Sequence, residues 1–414
     1  MEIKRDHYLE QLKSKEWNGM IKIITGLRRS GKSYLLFKLF RDYLNANGVE
    51  DKNIIKVVLD DLEHEYLREK HALYDHIKSQ ISDDDKYYVL IDEIQYVDGF
   101  SDVLNSLSHK KNVDTYVTGS NSKFLSSDIL TEFRGRGDEI RVYPLSFREF
   151  MSVHDGDFDD AWDDYYKYGG LPHITRLNSE KEKSDYLKTL FAKTYLTDIL
   201  DRHRIKNKEE MDELLDVLSS AVGSYTNPNK LSRSFKSVKN KSIKSSTLKN
   251  YIDYLKDAFL ISEAKRYNVK GKRYINSPSK YYYGDIGLRN ARLNFRQIEE
   301  KHIMENIIYN ELRIRGFDVD VGVVEVFVKG KEDKTERRTY EIDFVANKGS
   351  NRIYIQSAFR IPSSEKENQE LKSLRNVSDS FRKIIVVEDR IKPRRYEDGV
   401  ELMGLKYFLL NDWE

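Results

Sequence analysis

The sequence predicts an α/β chain that opens with a parallel sheet, and three observations carry that prediction. Up to about residue 150, apolar strand-like runs alternate with helix-length segments, the pattern of a sheet whose crossovers are helices. A glycine-rich turn joins the first such run to the first such helix. A later run ends in two adjacent carboxylates, at the strand end where α/β sheets bind ligands.

The elements follow in order. Ile21–Thr25 reads as a strand. Ser33 to Leu44 reads as a helix, with Leu35, Leu36, Leu39, Phe40 and Leu44 on one side and Asn47-Gly48 as its stop. Ile54–Leu59, Tyr87–Ile91, Thr115–Thr118 and Glu139–Val142 read as further strands. Ser146 and Glu149 are spaced as a capping box. Residues 151–205 are helical in pattern, broken at Gly169-Gly-Leu-Pro172. Three helices are expected at Met211–Ser224, Pro228–Ser237 and Ser246–Leu260, the last with Leu248, Ile252, Leu255 and Phe259 inward. A Tyr-rich stretch suited to strands follows. From about Phe295 an amphipathic helix, His302–Arg313, precedes strands at Val319–Val328, Tyr340–Ala346, Arg352–Ser357 and Lys383–Val387. The expected division is 1–150, 151–205, 206–294 and 295–414.

Composition excludes several classes. The 414 residues include no cysteine, so disulfides and thiolate zinc sites are out, and a reducing cytoplasm is the expected compartment. The chain opens without a signal-peptide run, and no stretch is apolar enough to span a membrane. At 39% hydrophobic and 34% charged it reads as globular rather than disordered. The net charge of +2 hides an asymmetry: residues 230–280 carry 14 Lys and Arg against 3 Asp and Glu. Charge concentrated this way marks a polyanion-facing surface on one module.

The chemistry-bearing motifs lie mostly before residue 140. Gly26-Leu27-Arg28-Arg29-Ser30-Gly31-Lys32-Ser33 fits G-x-x-x-x-G-K-[ST] between strand and helix. Its backbone N–H groups and the helix N-terminus would cradle the phosphates of ATP. Lys32 would reach the β- and γ-phosphates, and the Ser33 hydroxyl would ligate Mg²⁺. Arg28 and Arg29, within this loop, are expected to face solvent or a partner. Asp92, at the end of Tyr87–Ile91, would hold Mg²⁺ through water, and Glu93 would act as general base. Val117-Thr-Gly-Ser120-Asn121 is a polar strand exit, and either Ser120 or Asn121 would lie between Glu93 and the γ-phosphate. Arg136, in Phe133-Arg-Gly-Arg-Gly137, is a candidate to neutralise transition-state charge, from a neighbouring subunit if the chain self-associates.

These motifs, together with Leu90-Ile-Asp-Glu-Ile-Gln95, Tyr143-Pro-Leu-Ser-Phe147, Gly169-Gly-Leu-Pro172 and Glu341-Ile-Asp-Phe344, resemble a prokaryotic AAA-type ATPase family with a C-terminal DUF4143 region. The resemblance implies a P-loop ASCE sheet with the Ser120–Asn121 strand between the strands carrying Gly26 and Asp92. It implies a helical lid, then a winged helix, then a restriction-endonuclease-like α/β tail. Arg136 falls on the family's Gly-Arg position, although Gly137 follows where an aromatic or aliphatic residue is expected.

The basic module reads as three helices and a wing bearing Lys265, Arg266, Lys270, Lys272 and Arg273. Its expected partner is DNA bound with low sequence specificity, and a protein-docking face is the competing reading. The tail resembles a PD-(D/E)xK nuclease, with Glu305 and Glu311 on its first helix and Glu341 and Asp343 at a strand, but Gln356 and Ala358 stand at the second acidic and lysine positions. With no amine expected there, the tail reads as degenerate. The chain as a whole reads as a Mg-dependent, homo-oligomeric ATPase. A DNA-binding regulator with slow turnover and an ATP-dependent nuclease are the alternatives.

Overall fold

A computed structural model describes residues 2–120, 137–239, 241–329, 335–361 and 363–414. The chain forms two compact units. The first comprises Met1–Pro144, Leu171–His173 and Asp257–Phe259, and the second comprises Leu145–Gly170, Ile174–Lys256 and Leu260–Glu414. No helix among the described residues is long and apolar enough to cross a membrane.

The first unit is built on five strands: β1 (Ile21–Thr25), β2 (Ile54–Val58), β3 (Tyr87–Asp92), β4 (Val113–Gly119) and β5 (Gly137–Arg141). Their order is β2-β3-β4-β1-β5, and every pairing is parallel. β1 and β3 are buried along their whole length, as continuous apolar runs must be when both faces of a sheet are covered. The helix Asp6–Ser14 supplies Tyr8 and Leu12 to one face. The run Lys32–Tyr34, Leu35–Phe40 and Arg41–Ala46 covers it further with Leu35, Leu36, Leu39, Phe40 and Leu44, the five residues of the expected apolar stripe. The middle turn of that run is π-helical, and the run stops at Asn47-Gly48. β4, which ends at Gly119 just before Ser120, lies between β1, which leads into Gly26, and β3, which ends at Asp92, the order that the resemblance implies.

The second unit opens with a capping box: Ser146 Oγ accepts from the Glu149 N–H, and Glu149 accepts from the Ser146 N–H. Helices Phe158–Tyr168 and Glu180–Leu190 follow, then Lys208–Ser220, Pro228–Lys239 and Ser245–Asp257. Leu248, Ile252 and Leu255 are buried on the last of these. An eight-stranded sheet completes the unit: β6 (Ile261–Asn268), β7 (Arg273–Tyr283), β8 (Asp318–Lys329), β9 (Thr335–Lys348), β10 (Asn351–Ala358), β11 (Arg382–Val387), β12 (Arg394–Arg395) and β13 (Glu401–Gly404). Their order is β12-β13-β11-β10-β9-β8-β6-β7. The β6–β7 hairpin therefore belongs to the same sheet as the tail, through the parallel pairing of Arg266, Tyr267 and Asn268 with Val321, Gly322 and Val323. Helix Glu300–Ile314 is pinned to β7 by Asn306, whose amide accepts from the Tyr283 N–H and donates to its carbonyl, both at 2.8 Å.

Candidate functional site

The glycine-rich loop leaves β1 along a path only glycine can take. Gly26 has φ 136°, and a Cβ there would lie 1.9 Å from the Val142 carbonyl oxygen. Gly31 opens the following helix from the left-handed region, φ 97°. The Lys32 ammonium folds back to donate to the carbonyls of Gly26 (3.1 Å) and Leu27 (3.2 Å). Burial lowers its pKa, against the pull of Glu93 and Asp92. Among the described residues, no carboxylate lies within ion-pair distance of it. Ser30 is fully buried, and its hydroxyl has no partner among the described residues. Arg28 is half-buried and Arg29 exposed.

A residue that the sequence did not single out braces this loop. Arg5, 3% exposed, donates to the carbonyls of Ser30 (3.0 Å) and Tyr143 (2.7 Å). Its guanidinium also lies over the Tyr8 ring. A lone arginine before a helix carries no local pattern, so no sequence signal pointed to it.

At the end of β3, Asp92 is buried and its pKa is raised. Burial is the main cause, the Thr118 and Ser33 hydroxyls act against it, and the charges of Glu93 and Asp60 add to it. The Thr118 hydroxyl donates to Asp92 and accepts from the Glu93 N–H at 2.9 Å. Glu93 itself is left-handed, φ 52° and ψ 47°. Its Oε2 accepts from the Ser120 hydroxyl (3.3 Å) and from the Gln95 side-chain amide. Of the two polar strand-exit candidates, Ser120 thus meets Glu93. Asn121 and Arg136 lie outside the described residues.

The donor set fits Mg²⁺. Ser33 and Asp92 offer hard oxygen donors, the Ser33 hydroxyl acting to lower the Asp92 pKa, and the adjacent Glu93 and Asp60 crowd negative charge that a divalent cation would relieve. Two protein ligands suit an ion that keeps waters and binds phosphate oxygens.

A second cluster lies in the tail's sheet, and it corrects one expectation. Glu305 and Asp343 do meet, but an amine is present: Lys280, from β7, reaches Glu341 (2.7 Å), Glu305 (2.9 Å) and Asp343 (3.7 Å). The Tyr282 hydroxyl also donates to Glu305 at 2.6 Å. Gln356 instead meets the Ser373 hydroxyl, 3.5 Å away. The lysine comes from the hairpin before the tail, which motif spacing within the tail cannot show.

The fold and the loop define an AAA-type nucleotide-binding domain, and comparison with known proteins agrees. A family model described as an AAA domain matches residues 18–151. A second, a domain of unknown function (DUF8612), matches residues 159–299. This is a different model from the DUF4143 region that the resemblance implies. An uncharacterized protein of Haemophilus influenzae is 33% identical, over 99% of this chain and 98% of its own length. An uncharacterized protein of Methanocaldococcus jannaschii is 29% identical, over 84% of this chain and 77% of its own length. The chain belongs to the same family as the Haemophilus protein, and its residues 18–151 are an AAA domain.

Among solved structures, the Aeropyrum pernix ORC1 protein in complex with DNA aligns at 11% identity and TM-score 0.33, over 70% of this chain and 92% of that one. Cdc6p from Pyrobaculum aerophilum aligns at 12% and 0.30, over 73% and 94%. Likenesses this distant carry nothing about function.

Proposed function

We propose that the chain hydrolyses ATP at Gly26–Ser33 with Mg²⁺, and that hydrolysis is coupled to DNA bound by its basic hairpin. One observation carries the first part: Lys32, Ser33, Asp92, Glu93 and Ser120 converge at the carboxyl ends of three adjacent strands, β1, β3 and β4. The loop's N–H groups and Lys32 hold the β- and γ-phosphates. Ser33 and Asp92 would hold Mg²⁺, which when bound would neutralise charge on the phosphates. Glu93 takes a proton from water as the water oxygen bonds to the γ-phosphorus. The bond from that phosphorus to the β,γ-bridging oxygen breaks, and its electron pair leaves with ADP. Ser120 steadies Glu93. Asn121 is the alternative polar residue beside the γ-phosphate, and Arg136 is the proposed cation from a neighbouring subunit.

The DNA part rests on the β6–β7 hairpin. Lys265, Lys270, Lys272 and Arg273 are exposed on it, and Arg266 is half-buried. Three helices precede it, and Thr226 bridges Ser279 antiparallel, which supports a winged helix. Phosphate contacts of this kind give weakly sequence-specific, salt-dependent binding. The tail is read as a nuclease-like fold whose acidic residues are occupied by Lys280 and so do not cleave.

ATP turnover measured with and without DNA tests the proposal. Glu93→Gln should bind ATP and lose about 10²-fold or more in turnover. Reversing the five hairpin charges should weaken DNA binding across unrelated sequences and flatten its salt slope by roughly one unit per lost contact. Wild-type-like turnover in Glu93→Gln would reject Glu93 as the base. Cleavage of DNA by the wild type, lost in Asp343→Ala while ATP turnover persists, would restore the nuclease reading.

A further inference from the structure

The ATPase reading gives Glu93 a task but leaves Gln95 unexplained. Glu93 occupies a left-handed backbone region that is disfavoured for a residue with a Cβ. The conformation is held on both sides. Its N–H donates to the Thr118 hydroxyl at 2.9 Å, and its carbonyl accepts from the Tyr96 N–H at 3.0 Å. The short turn Ile94–Tyr96 that follows is anchored by fully buried Ile94. The left-handed residue reverses the chain, so the Gln95 side chain folds back over Glu93.

Its amide N–H₂ then donates to Glu93 Oε2, the oxygen that also accepts from the Ser120 hydroxyl. Gln95 Nε2 and Ser120 Oγ are themselves 3.5 Å apart, so the two donors form one clamp. The amide orientation is fixed by charge, since turned over it would set a carbonyl oxygen against a carboxylate. Both donors act on Oε2. Among the described residues, none is paired with Oε1. Gln95 Oε1 is buried and also has no partner among the described residues, the condition of a group whose second contact is water or substrate.

We propose that Gln95 is a positioning residue. It ties down Glu93 Oε2 so that Oε1 is presented to the attacking water, and the strained backbone at Glu93 exists to bring Gln95 into place. The inference rests on the ATPase reading. It gives the glutamine a role in turnover and none in nucleotide affinity.

The test uses the full chain as wild type, Glu93→Gln, Gln95→Ala and Gln95→Glu. Steady-state turnover of ATP is measured beside equilibrium binding of a fluorescent, non-hydrolysable ATP analogue, which also shows that each variant is folded. Binding should stay within about twofold of wild type, while kcat falls about 10-fold in Gln95→Ala and further in Gln95→Glu. The order is diagnostic. Glutamate has the shape of glutamine, so a residue that only fills space would tolerate it better than alanine. A clamp is broken by alanine and reversed by glutamate, which pushes Glu93 away. Turnover in Gln95→Ala equal to or above wild type, or Gln95→Glu faster than Gln95→Ala, overturns the inference. If wild type fails to turn over ATP, or Glu93→Gln matches it, the ATPase reading itself falls. Loss in Glu93→Gln with none in Gln95→Ala sinks the clamp alone.

Discussion

Each unit of this chain buries a lysine at 4% exposure, Lys32 in the first and Lys280 in the second. The two are treated in opposite ways. Lys32 meets two backbone carbonyls and, among the described residues, no carboxylate within ion-pair distance. Burial drives its pKa down. Burial also acts to lower that of Lys280, but Glu305, Asp343 and Glu341 overcome it, and the pKa rises. Lys22, fully buried, stands between them, paired with the carboxylate of Asp114 and with a lowered pKa. A buried cation is costly unless an anion is near. Lys280 has its anions built into the fold, whereas Lys32 would gain one from a phosphate under the proposed function. The difference separates a lysine kept for architecture from one kept for a ligand.

The largest expected effect breaks the comparison on the architectural side. Lys280→Met leaves three carboxylates crowded without their cation and should cost about 3–5 kcal/mol of stability. Urea unfolding checks it, and nucleotide affinity should be unchanged. An unaltered midpoint would mean that the cluster holds nothing together.

Lys32→Met should do the reverse. ATP affinity should drop about 10²- to 10³-fold, because a buried charged contact to phosphate is lost. The nucleotide-free protein should melt at the same temperature or higher, since an uncompensated buried cation has been removed. A lower melting temperature would show that Lys32, too, is structural.

Asp285 sharpens the comparison with a charge of opposite sign. It is buried, caps helix Ile286–Arg292, and accepts from the Gly170 N–H (2.8 Å) and the Leu288 N–H (3.1 Å). Burial pushes its pKa up to about 6, against the pull of those N–H groups. The folded state therefore holds the proton more tightly than the unfolded chain. Below about pH 4 both states are protonated and nothing is lost. As pH rises from there through 6, stability falls by up to roughly 3 kcal/mol and then levels. Asp285→Asn keeps an acceptor without the charge, so its stability relative to wild type should climb over that window. Parallel pH profiles for the two proteins would count against this.

The smallest effect concerns Lys22. Its Asp114 keeps the Trp17 N–H (3.0 Å) and the Tyr116 hydroxyl (2.9 Å) as donors. Lys22→Met should accordingly cost only about 1–2 kcal/mol by denaturant unfolding.

What the sequence revealed was whatever is local. The phosphate loop, the Asp92-Glu93 pair, the apolar stripe Leu35–Leu44 and the Ser146–Glu149 box each lie within one short stretch of chain, where spacing reports geometry directly. The placing of β4 between β1 and β3 followed from the resemblance, and the structure has it. Arg5 on the Ser30 carbonyl and Lys280 among the carboxylates could not be read, because pairing between distant segments creates both contacts. Gln95 lies inside the Leu90–Gln95 motif, yet its contact needs the left-handed turn at Glu93, which no propensity favours in a glutamate.

Lys280 has one further consequence, for the alignment of strands. β7 is an edge of the eight-stranded sheet, and its pairing with β6 changes step along its length. Ala264 faces Lys280, whereas Arg266 faces Ile275. Edge strands are prone to slide, and a slip of one residue turns every side chain to the opposite face. Here such a slip would carry the ammonium away from Glu305, Glu341 and Asp343 and leave all three without it. The ion cluster thus favours the observed alignment of β7, together with the Asn306 bonds to Tyr283, and the basic tip of the hairpin takes its direction from that alignment.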